Sequence, residues 1–176
     1  MAERILSPAD VRGAFVALDA LLPRPATLIV GGGTAMVLAH GVAVRTTDVD
    51  AYPTGMTFEE LEPHVRRVAK ERGLAPDWLN PHYSTFAIVL PPDYGERLVT
   101  VHAGEKLTVK ALGAEDLLVM KCFAGREKDV GHARVLLRKV KRPEIVEERI
   151  QQLLERKHPG AIDAADFFDD LREQEG

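Results

Sequence analysis

The chain has 176 residues, 45% of them hydrophobic and 28% charged, with a formal net charge of −4. At this length one domain buries about 70% of its unfolded surface, so a true core is expected, and the acidic balance argues against a protein that coats nucleic acid without specificity, while leaving a local basic patch open. The single cysteine, Cys122, excludes an internal disulfide or a cysteine zinc cluster and makes a reducing, cytoplasmic setting the default.

No apolar run approaches the roughly 20 residues that span a bilayer, and the opening MAERILSPAD has no signal-peptide core. The stretch 7–22 reads as a first helix: Ser7 caps it, Pro8 suits its first position, Asp10 sits in its first turn, and Phe15, Leu18 and Leu22 recur at helical spacing. Pro23 and Pro25 end it. TLIV (27–30) is a short buried strand, followed by a glycine turn and a short helix closed by Gly41. DVDAY (48–52) alternates at strand spacing. TFEELEPHVRRVAKERG (57–73) begins with a Thr57/Glu60 capping box and carries Phe58, Leu61, Val65 and Val68 on one helical face, with Pro63 either kinking the helix or marking its start. STFAIVL (84–90), RLVTVHA (97–103) and KLTVKAL (106–112) read as three further strands joined by turns. From Ala114 the pattern is helical, with breaks near KRPE (141–144) and HPG (158–160); the acidic last segment, 161–176, is expected to pack loosely.

Strands cluster in the middle with helices before and after, an α+β layout with a mixed sheet rather than repeated βαβ units. The expectation is a single domain over 1–176, with its sheet core at about 26–112 and a helical C-terminal part at about 114–173.

Within this layout the stretch LIVGGGTAMVLAHGVAVRTTDVDAY (28–52) carries the chemistry. Residues i and i+2 of a strand project from one face, so Asp48 and Asp50 stand side by side. Two such charges repel unless one is protonated or a cation lies between them. Hard oxygen donors of this kind suit Mg²⁺, which takes one or two carboxylates together with substrate phosphates, and such metals support in-line nucleotidyl displacement. A strand, a glycine turn and a helix start also present backbone N–H groups to an anion. The pattern therefore points to glycines that hold a triphosphate and aspartates that hold the metal shared with it. A lone D-x-D commonly means solvated carboxylates, and a lone GGG a loop; strand, turn, short helix and D-x-D in that order is far more specific. A dinucleotide fold is disfavoured, because the helix is too short and Met36 stands where a third small residue belongs. No G-K-[S/T] follows the glycines, which disfavours a P-loop.

These residues resemble the nucleotidyltransferase superfamily that includes DNA polymerase β, whose signature is an apolar strand, a G-G or G-S turn, and D-x-D on the next strand. Within it the chain resembles a family of small bacterial nucleotidyltransferase-like proteins of unknown function, and it is similar to nucleotidyltransferase toxins of the AbiEii type. Gly32, Gly33 and Thr34 match the turn; Thr46, Asp48 and Asp50 match an S-x-D-x-D segment with Thr46 in place of serine. EDLLVMKCFAGREKD (115–129) matches a lysine helix followed by R-x-x-D, through Lys121, Arg126 and Asp129. DWLN (77–80) also matches the unannotated group, and the resemblance covers roughly residues 26–137.

The resemblance implies Mg²⁺- or Mn²⁺-dependent transfer of a nucleoside monophosphate from an NTP to a hydroxyl acceptor: a tRNA end, a protein or a small molecule. In that scheme Asp48 and Asp50 are metal-binding and catalytic. Gly32, Gly33, Thr34, Thr46 and Arg126 bind the nucleotide, and Lys121 neutralises phosphate charge. Asp129 is a metal ligand or base. A toxin–antitoxin role, with an antitoxin protein as partner, is implied by resemblance alone. One departure favours a binding-only alternative, a catalytically impaired nucleotide-binding or protein-interaction module: the third carboxylate usual on a later strand is missing, RLVTVHAG offering Thr100 and His102. A second departure is His132, which stands where relatives often have an acid. His82, His102 and His132 show no zinc spacing and read as structural. Trp78 reads as a core or rim anchor, with base stacking as the other possibility. Arg134, Arg138 and Arg142, with Lys139 and Lys141 nearby, form a basic face that is either solvated or an RNA contact.

Overall fold

The computed structural model describes residues 3–176, and of 83–86 the backbone alone. The chain divides into two compact units, Met1–Ser84 with Leu98–Leu112, and Thr85–Arg97 with Gly113–Gly176.

The first unit contains α1 (Pro8–Leu21), β1 (Ala26–Val30), α2 (Gly32–His40), β2 (Val49–Thr54), α3 (Phe58–Arg72), β3 (Leu79–Asn80), β4 (Val99–Ala103) and β5 (Leu107–Ala111). The sheet order is β3-β2-β1-β5-β4. β1 runs antiparallel to β2 and parallel to β5, so the sheet is mixed and the architecture α+β, as the sequence pattern implies. Local signals set the helix ends. Ser7 Oγ accepts from the Asp10 N–H while Asp10 accepts from the Ser7 N–H, and Thr57 and Glu60 exchange the same pair of bonds. Pro63 lies inside α3, which starts at Phe58 and runs through it. Paired residues share a face, so Leu28, Val30, Ala51, Val109 and Ala111 form one buried side of the sheet. Phe15, Leu18, Leu61 and Trp78, all fully buried, complete the core of this unit. The opposite side carries Asp50, Tyr52, Ile29 and Lys110.

The second unit is helical: α4 (Ala114–Ala124), α5 (Asp129–Lys139), α6 (Pro143–Glu155) and α7 (Ala161–Glu175) bury Leu117, Leu118, Leu136, Val146, Leu153 and Phe168. α7 does not pack loosely. Ala161, Ala164, Phe168 and Leu171 recur at spacings of three and four beneath its acidic composition and are all buried. Arg138 of α5 pairs with Glu175 at 2.6 and 2.9 Å.

The expected strand STFAIVL is not a strand. Residues His82–Val89 form a 3₁₀ helix. Its last carbonyls find a partner off any sheet: the buried Arg149 guanidinium donates to the Ile88 and Val89 oxygens at 3.1 and 2.8 Å. A β-branched run bounded by Pro81 and Pro91 thus follows its tertiary partner rather than its propensity. Among the described residues no helix is long and apolar enough to cross a membrane.

Candidate active site

Asp50 lies in β2 and Asp48 just before it. The turn that carries Asp48 is pinned from several sides. Leu6 N–H donates to the Thr46 carbonyl at 2.8 Å. Thr46 and Thr34 both donate their hydroxyls to the Asp48 carbonyl, at 2.7 and 3.2 Å. Val49 N–H donates to the Trp78 carbonyl at 2.6 Å, tying the turn to the chain that leads into β3. In β3 the buried Asn80 sits in register with Asp50. Its Nδ2 donates to Asp48 Oδ2 at 2.9 Å, and its Oδ1 accepts the His82 N–H at 3.1 Å. One donor atom each from Asp48, Asp50 and His82 then lies within 4.8 Å of the others; the two acids are half-buried and the histidine exposed.

The glycine turn is shaped to the same group. Gly31 N–H donates to the Asp50 carbonyl at 3.0 Å. Gly32 has φ +56, the left-handed region that favours glycine, and a Cβ there would stand 2.8 Å from Asp50 Oδ2. A Cβ on Gly33 would press on Thr46 Cβ at 3.1 Å. The first i→i−4 bond of α2 runs from Ala35 N–H to the Gly31 carbonyl at 3.2 Å, so the amides of Gly32, Gly33 and Thr34 have no acceptor within the helix. The hydroxyls of Thr34 and Thr46 are turned to Asp48 and buried, leaving Thr34 its backbone amide for an anion.

Two carboxylate oxygens and an imidazole nitrogen are a chemically sound donor set for a divalent cation. Donors that share one ion at about 2.1 Å lie about 3 Å apart when adjacent and about 4.2 Å apart when opposite, so a 4.8 Å spread closes with small side-chain rotations. His82, which reads as structural from sequence, stands two residues beyond Asn80 of DWLN, and its nearness to the acids is legible only once β3 pairs with β2.

In the second unit Lys121, Arg126 and Asp129 form one cluster. Lys121 Nζ donates to Asp129 Oδ1 at 2.6 Å, and Arg126 donates to both oxygens at 2.6 and 3.2 Å. The Asp129 side chain is 1% exposed. Burial alone would raise its pKa, but the bonds from Arg126 and Lys121 outweigh it and hold the carboxyl below its ordinary range. His132, one turn along α5, has a buried Nδ1 with no hydrogen-bond partner. Its pKa is lowered by burial and by the charge of Lys121. A pair not foreseen from sequence, the half-buried Arg97 with the buried Asp116 at 3.0 and 2.8 Å, sits at the start of α4.

Trp78 is fully buried, donates its indole N–H to the Val65 carbonyl at 3.0 Å and packs against Phe15, which leaves no face for a base. On the basic face Arg138 pairs with Glu175 and Arg142 with Glu144, while Arg134 bonds the uncharged Gln174. No residue of β4 or β5 is acidic, and the side of β5 shared with Asp50 carries Thr108 and Lys110.

The model of a family described as a nucleotidyltransferase of unknown function, DUF6036, matches residues 13–155. No curated protein and no solved structure matches the chain.

Proposed function

The chain belongs to that nucleotidyltransferase family, and from this premise we propose that it transfers a nucleoside monophosphate from an NTP to a hydroxyl acceptor, with Mg²⁺ or Mn²⁺. The observation that carries the reading is the convergence of Asp48 and Asp50 beside the Gly31–Thr34 turn. Asp48 and Asp50 would hold the metal, whose chemistry is to neutralise phosphate charge and polarise the phosphorus under attack. The amides of Gly32, Gly33 and Thr34 receive phosphate oxygens at the start of α2. Thr46, Thr34 and Asn80 act at one remove, by fixing the Asp48 turn. The acceptor oxygen bonds the α-phosphorus as its proton passes to water, and the bond from that phosphorus to pyrophosphate breaks with its electron pair on the leaving oxygen. Lys121 and Arg126 are assigned to the phosphate chain on the match of their motif, with Asp129 orienting both cations. The acceptor is a tRNA end, a protein or a small molecule, in the cytoplasm where NTPs are found. A toxin role with an antitoxin protein as partner belongs to the same reading and requires that expression of the chain alone arrests growth.

The test is incubation with each labelled NTP, Mg²⁺ or Mn²⁺, and total RNA or protein, followed by a search for a labelled acceptor. Label that transfers with wild type and not with Asp48→Asn supports the reading. The absence of acidic residues from β4 and β5 favours one alternative, a nucleotide-binding module without transfer. Metal-dependent NTP binding with no labelled acceptor would select it.

A further inference from the structure

We infer that His82 is the third ligand of the Asp48–Asp50 centre, an imidazole nitrogen completing a set that has only two acids, and that the centre therefore prefers Mn²⁺ to Mg²⁺. The inference rests on the reading of Asp48 and Asp50 as a metal centre and adds the ligand that sets its selectivity.

Three observations carry it. First, donor atoms of Asp48, Asp50 and His82 lie within 4.8 Å of one another, a spread one ion can gather. Second, a single buried side chain places two of the three. Asn80 donates to the Asp48 carboxylate at 2.9 Å and accepts the main-chain N–H of His82 at 3.1 Å, so it holds the first acid's side chain and fixes the backbone from which the imidazole extends. Residues just outside a metal's ligands commonly position them in this way. Third, among the described residues no other acid joins Asp48 and Asp50 within this spread. The strands β4 and β5 carry none, and Asp129 accepts three charge-assisted bonds from Lys121 and Arg126. His82 is exposed, so core packing does not explain its place.

The chemistry follows from the donor types. A set of two carboxylates and a neutral imidazole carries charge −2, where three carboxylates would carry −3. Mg²⁺ is a hard ion that binds oxygen and keeps its waters. Borderline ions gain from imidazole, and among first-row divalent metals affinity rises from Mn²⁺ onward. Exchanging one carboxylate for imidazole therefore lowers Mg²⁺ affinity more than Mn²⁺ affinity.

The experiment uses the full chain without a histidine tag, Mn²⁺, and inorganic triphosphate, which contains no nitrogen. Pulsed electron paramagnetic resonance reads ¹⁴N coupling to the bound Mn²⁺. Wild type is expected to show one imidazole coupling. His82→Gln, an exposed change that spares the fold, is expected to lose it and to bind Mn²⁺ on the order of 10-fold more weakly or worse. His82→Asp is expected to recover binding without the coupling and to move the Mn²⁺:Mg²⁺ affinity ratio towards Mg²⁺. If Mn²⁺ binds wild type in a manner abolished by Asp48→Asn but shows no ¹⁴N coupling, the role of His82 is overturned and the aspartate centre stands. Coupling that persists in His82→Gln overturns the inference equally. If Mn²⁺ binding does not depend on Asp48, both this inference and the reading beneath it fall.

Discussion

Thr34 and Thr46 spend their hydroxyls on one carbonyl, that of Asp48, and Asn80 holds the carboxylate of the same residue. The result is an acid fixed at both its main chain and its side chain, a preorganised donor that gives up little entropy on taking a cation. Asp48→Asn should therefore keep the fold, because the amide oxygen still accepts from Asn80 and one of two facing charges is removed. Its Mg²⁺-supported NTP binding, followed by calorimetry, should fall on the order of 10-fold or more; binding equal to wild type would remove Asp48 from the centre. Gly32→Ala tests the turn. It places a side chain at φ +56 and 2.8 Å from Asp50 Oδ2, so it should cost about 1–2 kcal/mol in urea denaturation and displace the Asp50 carboxylate, weakening metal-dependent binding as well. Loss of neither would show that the turn has room to spare. At this scale the pairing of Asp48 with Asp50 was legible because period-two geometry is local, even though Asp48 lies one residue outside the strand. His82 was not legible, because its proximity depends on a two-residue strand pairing and a single asparagine.

Capping signals at Ser7 and Thr57 fix helix starts from four residues each, which makes the start of α1 legible in sequence; at α3 the Thr57 box prevails over the competing start that Pro63 suggests. The 3₁₀ helix at His82–Val89 shows the opposite case. Its apolar, β-branched run has a strand's composition, and only Arg149, some 60 positions later, decides where its carbonyls go. The hairpin between β4 and β5 depends on a distant residue too. Asp19 of α1 accepts the N–H groups of Glu105, Lys106 and Leu107 at 3.2, 2.8 and 2.5 Å. Burial would raise the Asp19 pKa, but these three amides prevail and lower it from 3.8. A carboxyl whose folded pKa is depressed contributes stability above its unfolded pKa and loses it as pH falls through the folded value. Stability measured by urea midpoint should thus decline below about pH 4. Asp19→Asn should be less stable than wild type at pH 7, and the gap should narrow as pH falls through this window. A gap that stays constant from pH 7 to 3 would show that the Asp19 charge contributes nothing.

At the scale of the molecule, the first unit is interrupted in sequence: the chain leaves it after Ser84 and returns at Leu98 to supply β4 and β5. The sequence pattern alone leads to the expectation of one domain over 1–176, with a sheet core at about 26–112 and a helical part at about 114–173; that 85–97 clusters with the helices is not legible in it, because nothing in PPDYG or its neighbours announces the exchange. Since β5 lies between β1 and β4, a fragment ending at residue 97 lacks one of the two partners of β1. Expressed alone, it should fail to show a cooperative unfolding transition; a fragment that melts cooperatively would mean that β1 and β2 suffice.

The parallel pairing of Ala26 with Leu107 also sets a timetable for a growing polypeptide. β1, α1, α2 and β2 leave the ribosome long before β5 exists, so one edge of β1, with Leu28 and Val30 on its apolar side, must wait unpaired. Closing so distant a contact is slow, and an unfilled strand edge recruits other chains meanwhile. Recovery of active protein after dilution from denaturant should then depend on concentration, high when dilute and falling as association outpaces the arrival of β5.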